Sequence, residues 1–165
     1  MPRRPAVPAK ANKKSVPAAS AEKQMASFIA KFAPAVAKQI RACRALLCKR
    51  FPTAIQIVYD NYNFFVIGFA TTERTSDALF ALASDSKGVN LHFFWGSKLA
   101  DPQKLLQGSG SQNRFLRLPN PERLSDPHVI ALLNAAAAQA KHPLPLTGRG
   151  VTIIKSISPK QRPRR

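Results

Sequence analysis

The sequence predicts an α+β domain of two layers, an antiparallel sheet packed by N- and C-terminal helices. Three observations predict it. Apolar residues recur every three or four positions over residues 21–50. They then alternate, or run without a break, in short segments separated by turn residues from Ile55 to Leu118. A second helical pattern begins at Asp126. Closely connected strands pair antiparallel, and helices on either side of them in the chain pack on one face of the sheet.

Met25, Phe28, Ile29, Phe32, Val36, Ile40, Cys43 and Leu47 make the first stripe. Pro34 interrupts it, and proline suits the first turn of a helix rather than its interior. The pattern therefore divides into a short helix near 21–32 and a longer one from about 34 to 49. Lys38, Arg41 and Lys49 lie opposite the second stripe, so that helix has a basic outer face. Pro52 ends it. Ile55, Ile57 and Tyr59 alternate with Gln56, Val58 and Asp60 as a first strand. Asn61-Tyr62-Asn63 is a turn, and Phe64 to Ala70 is a second strand. Thr71 to Thr75 connects it to a third at Ala78 to Ala83. Asp85-Ser86-Lys87-Gly88 is a turn with glycine where positive φ is cheap. Val89, Leu91, Phe93 and Trp95 alternate with Asn90, His92 and Phe94 as a fourth strand, which places Trp95 on the core side. Asp101-Pro102 reads as an N-cap followed by proline, predicting a short helix over 102–107 closed by Gly108. Asn113 to Leu118 is a further strand. Asp126-Pro127 starts the last helix and His142-Pro143 ends it. Val151 to Ile157 is a final strand or an ordered strip of tail. Ser158 to Arg165 reads as disordered.

Charge divides the chain further. Lys and Arg number 26 against 8 Asp and Glu, a net +18. Residues 1–24 contribute +5, residues 149–165 contribute +6, and the 124 residues between them only +7. Residues 1–20 read as a disordered basic arm, 21–145 as the folded domain and 146–165 as a basic C-terminal tail. The arm has the Arg/Lys-rich, acid-poor character of a transit peptide, but Pro2, Pro5, Pro8 and Pro17 break any amphipathic helix. No apolar run approaches the roughly 18 residues of a bilayer span, and no signal-peptide core follows the arm. A cytoplasmic protein without a membrane span is expected. Cys43 and Cys48, the only cysteines, share one helix without a CxxC pair and read as free thiols of a reducing compartment.

Catalytic signals are weak. Gly108-Ser109-Gly110-Ser111 leaves a helix and enters a strand, the reverse of a phosphate-cradling loop. His92, His128 and His142 have no partner at ligand spacing, so no metal or other cofactor is expected. No nucleophile elbow is present. Asp60 and Asp85 are conceivable general bases, but both look like turn residues. A deep pocket gathering Tyr59, Tyr62, His92 and Arg114 would be the mark of an enzyme. Phe93, Phe94 and Trp95 suggest a stacking platform, which alternation counters by turning two of them inward. Lys155, Lys160, Arg162, Arg164 and Arg165 form one cationic cluster, and Arg3, Arg4, Lys10, Lys13 and Lys14 another. Flexible cations neutralise phosphates and release counterions without reading sequence. The alternative is plain solubility or contact with a membrane surface.

Phe28-Ile29-Ala30-Lys31-Phe32 followed by Pro34 and an amphipathic helix resembles the start of the YdhG-like domain of unknown function. Val89 to Gly96, then Leu99 to Leu106, then Gly108-Ser109-Gly110-Ser111-Gln112-Asn113-Arg114-Phe115-Leu116-Arg117-Leu118 is similar to that family's most recognisable stretch. The likeness covers roughly residues 25–140, and Ile153 to Ser158 with Lys160 to Arg165 resembles the tail of some members. It implies a frataxin-like fold of the YdhG/YjbR/CyaY-like group. It also implies two contrasting roles, iron or iron–sulfur accessory work and DNA binding. Frataxins carry an acidic first helix, whereas here no acid lies between Glu22 and Asp60 and the helices carry Lys31, Lys38, Arg41, Arg44, Lys49 and Arg50. Those cations would oppose iron. The expectation is a non-enzymatic module that contacts nucleic acid or another polyanion through Lys155, Lys160, Arg162, Arg164 and Arg165, joined by Arg114 and Arg117. Its oligomeric state is not legible.

Overall fold

The computed structural model describes residues 18–165. Most of the basic arm, residues 1–17, lies outside them; Ala18 to Ser20 already belong to the first helix. That helix, α1 (Ala18–Ile29), buries Ala21, Met25, Phe28 and Ile29, spaced by three or four. The helix α2 (Pro34–Arg50) has proline in its first turn, Lys49 and Arg50 in its last, and buries Ala37, Ile40, Cys43 and Leu47. Cations at a helix C-terminus complement its negative end.

Five strands follow as a meander: β1 (Ile55–Asp60), β2 (Phe65–Ala70), β3 (Ala78–Asp85), β4 (Gly88–Phe93) and β5 (Arg114–Leu118). All four consecutive pairs are antiparallel. The helix α3 (Pro127–Ala138) is capped by Asp126, whose carboxylate accepts from the His128 N–H at 2.8 Å. The chain then returns to add β6 (Thr152–Ile157), which pairs parallel with β1. The sheet order is β5-β4-β3-β2-β1-β6, so the sheet is mixed and not purely antiparallel as expected. The meander leaves the outer edge of β1 with unpaired backbone groups. A strand arriving after α3 satisfies them: Gln56 donates to the Val151 carbonyl and Ser158 to that of Asp60, both at 2.9 Å.

The helices cover one face of the sheet. Phe65, Ile67, Phe69, Phe80, Leu82, Leu91 and Phe93 point into that layer and are fully buried. Phe69 and Phe80 stack at 5.5 Å, and Phe51 and Phe93 meet Phe80 at 5.1 and 6.3 Å. Each such ring contributes about 1.5–3 kcal/mol by leaving water. The other face has no helix. Ile57, Ala70 and Ala78 form a small cluster there with half-buried Ile55, Tyr59 and Phe94.

Two expected elements differ. Residues 102–107 form no helix. Asp101 accepts from the Leu105 and Leu106 N–H groups at 2.9 and 2.8 Å, which bends the chain so that Gln107 pairs with Phe115. A capping carboxylate serves a bend as well as a helix start. β4 stops at Phe93, so Trp95 escapes the alternation and stays 39% exposed. No described helix is long and apolar enough to cross a membrane.

Candidate polyanion-binding surface

The C-terminal cations occupy three environments. Arg164 is buried. Its guanidinium lies 3.0 Å from Asp60 Oδ1 and donates to the carbonyls of Asn61 and Asn63 at 2.6 and 3.0 Å. The other Asp60 oxygen accepts from Lys31 Nζ at 2.6 Å. Gln161 donates to the Asp60 carbonyl and accepts from the same ammonium, both at 2.9 Å. Asp60 is fully buried and the Arg164 side chain is 3% exposed. Residues 158–165 are therefore clasped against the end of β1 rather than disordered. Arg164 is withdrawn from any docking surface. Asp60, a carboxylate holding two cations, is withdrawn as a general base.

Arg165 and Arg162 make weaker contacts. Arg165 donates to the Lys31 carbonyl at 3.3 Å, just past the end of α1. The Arg162 guanidinium lies over the Tyr62 ring at 5.7 Å, and the Arg162 backbone N–H donates to the Tyr62 carbonyl at 2.9 Å. Lys155 and Lys160 are exposed. Lys155 sits at the irregularity where the β1–β6 register shifts between Val58 and Tyr59. A bulge and a lysine are also the features that keep a bare strand edge from pairing with another chain.

Arg114 and Arg117 stand elsewhere. Both are on β5, separated from β6 by four strands, or about 24 Å at ordinary strand spacing. Arg114 donates to the Asn113 carbonyl at 2.8 Å and to that of Gly110, which pins the Gly108–Ser111 loop to the strand. Arg117 is exposed, opposite Asn90. The sheet order therefore separates these two arginines from the tail cations with which they were expected to act.

One cationic neighbour was missed. Arg149 lines a cleft of about 550 Å³ with Arg44, Cys48 and Lys49, where the approach to β6 passes the end of α2. Arg44 is engaged there. It forms a fork with Glu22 at 2.6 and 2.9 Å and donates to Gln56 at 2.6 Å. Thr152 donates to Glu22 at 2.9 Å, so β6, α1 and α2 meet at this group. Arg149 and Lys49 are exposed on the same rim. No local spacing announces this convergence, because its hydrogen-bonded members are 12 to 130 residues apart in the chain.

Three perturbed titratable groups bear on stability or reactivity. The Arg44 hydrogen bond holds the Glu22 carboxyl below its ordinary range, against burial. Burial lowers His92, which stacks on Phe115 at 5.3 Å and meets Asn113 at 3.2 Å. Burial raises the Cys43 thiol to about 11, so it is an inert core thiol, and both cysteines are free. A depressed pKa stabilises the fold above the group's unfolded value and loses that contribution as pH falls through the folded value. Stability should therefore begin to fall below pH 6.5 as His92 is forced to charge, and fall again below pH 4.5 as Glu22 protonates. Urea midpoints measured from pH 8 to 3 should show both declines. In His92→Phe the upper one should vanish.

Tyr59 and His92 lie on strands separated by two others, so the tyrosines, His92 and Arg114 are not gathered in one pocket. Asp85 accepts from the Lys87 N–H at 2.9 Å as a turn residue. Among the described residues, no three His, Cys, Asp or Glu side chains converge to hold a metal ion. Comparison of the chain with protein-family models, curated proteins and solved structures finds no match.

Proposed function

We propose that the protein is a non-enzymatic binding module for nucleic acid or another polyanion, and that it presents its cations along the β6 edge. The observation that carries this reading is the row Arg149, Lys155, Lys160 and Arg162. All four are exposed and none pairs with a carboxylate among the described residues; Lys155 is on β6, Arg149 precedes it, and Lys160 and Arg162 follow it. Strand β6 spans about 20 Å, enough for several phosphates of an extended strand. Helix α2 adds exposed Lys49 and Arg50 beyond Arg149. A surface of unpaired cations on fixed backbone attracts phosphates through counterion release. Arg117 is left as a separate contact on the far edge.

The order helix, meander, helix also supports a YdhG-like, frataxin-like reading of the domain. Among the described residues, nothing in the donor arrangement favours an iron role. The test is binding of labelled single- and double-stranded DNA and RNA to the full chain at two salt concentrations. Replacing Arg149, Lys155, Lys160 and Arg162 by Gln should lower the salt slope on single strands by about 3, at about 0.7 per phosphate contact. An unchanged slope in that folded variant would exclude the β6 edge as the site.

A further inference from the structure

At the other side of the molecule, the β2–β3 connection, the turn after β4 and the C-terminal end of α3 enclose a cleft of about 370 Å³. It shares no residue with the β6 edge. Its size is within the range of small-molecule sites, about 300–1,000 Å³. Buried Leu79 and Ala136 form its apolar floor. Trp95 is on its wall, the tryptophan that alternation would have buried and that the end of β4 leaves exposed. Lys98 Nζ lies 4.9 Å over the indole. Arg74 and Lys141 add two more exposed cations from different elements. Asp77 is the one acid of the lining against these three cations, and its carboxylate accepts from Thr72 at 2.6 Å.

One further group lacks a partner. Thr71 lines the cleft and is 6% exposed, and its hydroxyl has no hydrogen-bond partner. A buried hydroxyl left unpaired is costly, so such a group marks a place where an absent polar atom belongs. The cleft thus offers a flat aromatic surface, three cations on its lining and an unpaired hydroxyl beside an apolar floor. A flat ring and an anion on one small molecule complement that set.

We infer that this cleft binds a nucleotide, with the base against Trp95 and the phosphate among Arg74, Lys98 and Lys141. Attraction of the phosphate to Lys98 brings the base it carries to the adjacent indole. Thr71 bonds a polar atom of the base or sugar. Stacking on an indole tolerates every base, so the site selects the nucleotide class rather than one base. The same chemistry is carried by a free nucleoside monophosphate and by the phosphorylated end of a strand.

Trp95 is the only tryptophan, so its fluorescence reports this cleft directly. The full chain is titrated with AMP, GMP, CMP and UMP, with adenosine and with inorganic phosphate. The expected result is saturable quenching by the monophosphates, with adenosine and phosphate each at least about tenfold weaker because each lacks half of the complement. Thr71→Val keeps the side-chain shape and should weaken binding by about tenfold while the fold becomes no less stable, since an unpaired polar group is removed. Arg74→Gln with Lys141→Gln should abolish saturation. Short strands with and without a 5′-phosphate distinguish a strand end from a free nucleotide. Absence of saturable quenching at about 5 mM, or equal binding by wild type and both variants, overturns the inference. Salt-dependent polyanion binding by the β6 edge is measured on the same variants, so the two proposals fail separately.

Discussion

Asp60→Ala is expected to lower the unfolding free energy by about 3–5 kcal/mol, the cost of leaving a buried charge without its partner. Arg164 makes this cost large. Its side chain is 3% exposed and Asp60 is fully buried, so water cannot replace the lost carboxylate while the clasp stays closed. The chain has one escape, which is to release residues 158–165 and solvate the guanidinium. Trypsin should then cut after Lys160 in the variant at protease levels that leave the wild type intact. Lys31→Ala removes the other cation, whose side chain is 41% exposed, and should cost under about 1 kcal/mol. Equal urea midpoints for Asp60→Ala and wild type would show that the clasp contributes nothing. Release of Arg164 also frees one cation beside the β6 edge, so Asp60→Ala should raise the single-strand salt slope by about 0.7. Truncating the last ten residues is a poorer test of polyanion binding. It removes Arg164 and part of β6 together, and so mixes a folding defect with a binding defect.

Gly150→Ala is the second change with a large expected effect. A Cβ at Gly150 would sit 1.8 Å from the Ala54 carbonyl oxygen and 2.3 Å from its carbon. Both are backbone atoms of the segment entering β1, and Gly150 donates to the Pro52 carbonyl at 3.0 Å in the same place. No rotamer change relieves that contact, so the approach to β6 must move away from β1. The expected cost is about 3 kcal/mol, at the upper end for overpacking. The internal control is Gly148→Ala. Gly148 has φ +91° but open space around it, so alanine there meets only backbone strain of about 1–2 kcal/mol. Thermal unfolding of the two variants should rank them in that order. If Gly150→Ala melts with the wild type, β6 does not need the close approach.

The helices and the meander were legible because their signals are local. The stripe from Met25 to Leu47 and the proline at 34 set α1 and α2 to within a few residues. The turn residues at 61–63 and 85–88 set two hairpins. The misreadings are equally local in origin. Asp101-Pro102 carries the same signal whether Asp101 caps a helix or, as here, serves the N–H groups of a bend. Trp95 continues the alternation of β4, but β4 ends at Phe93: its register with β3 runs from Phe80↔Phe93 to Asp85↔Gly88, and beyond it only a long 3.4 Å bond from the Phe94 N–H to the Leu79 carbonyl remains. The candidate site was legible only as a count of charges. Which arginines are free is a matter of where the carboxylates lie.

By itself the sequence determined the α+β class, the two-layer arrangement, the core stripe of each helix and the excess of cations. Each of these follows from the spacing of residue types within about twenty positions, and solvent sorts such patterns without knowing the rest of the chain. The tertiary structure decided the parallel seat of β6, the burial of Arg164 against Asp60, the separation of Arg114 and Arg117 from the tail, and the cleft beside Trp95. These depend on pairs of groups as far apart as 104 residues. A basic residue in a tail and a basic residue in a buried ion pair are the same letter in the sequence, and only the arrival of a carboxylate at 3.0 Å distinguishes them.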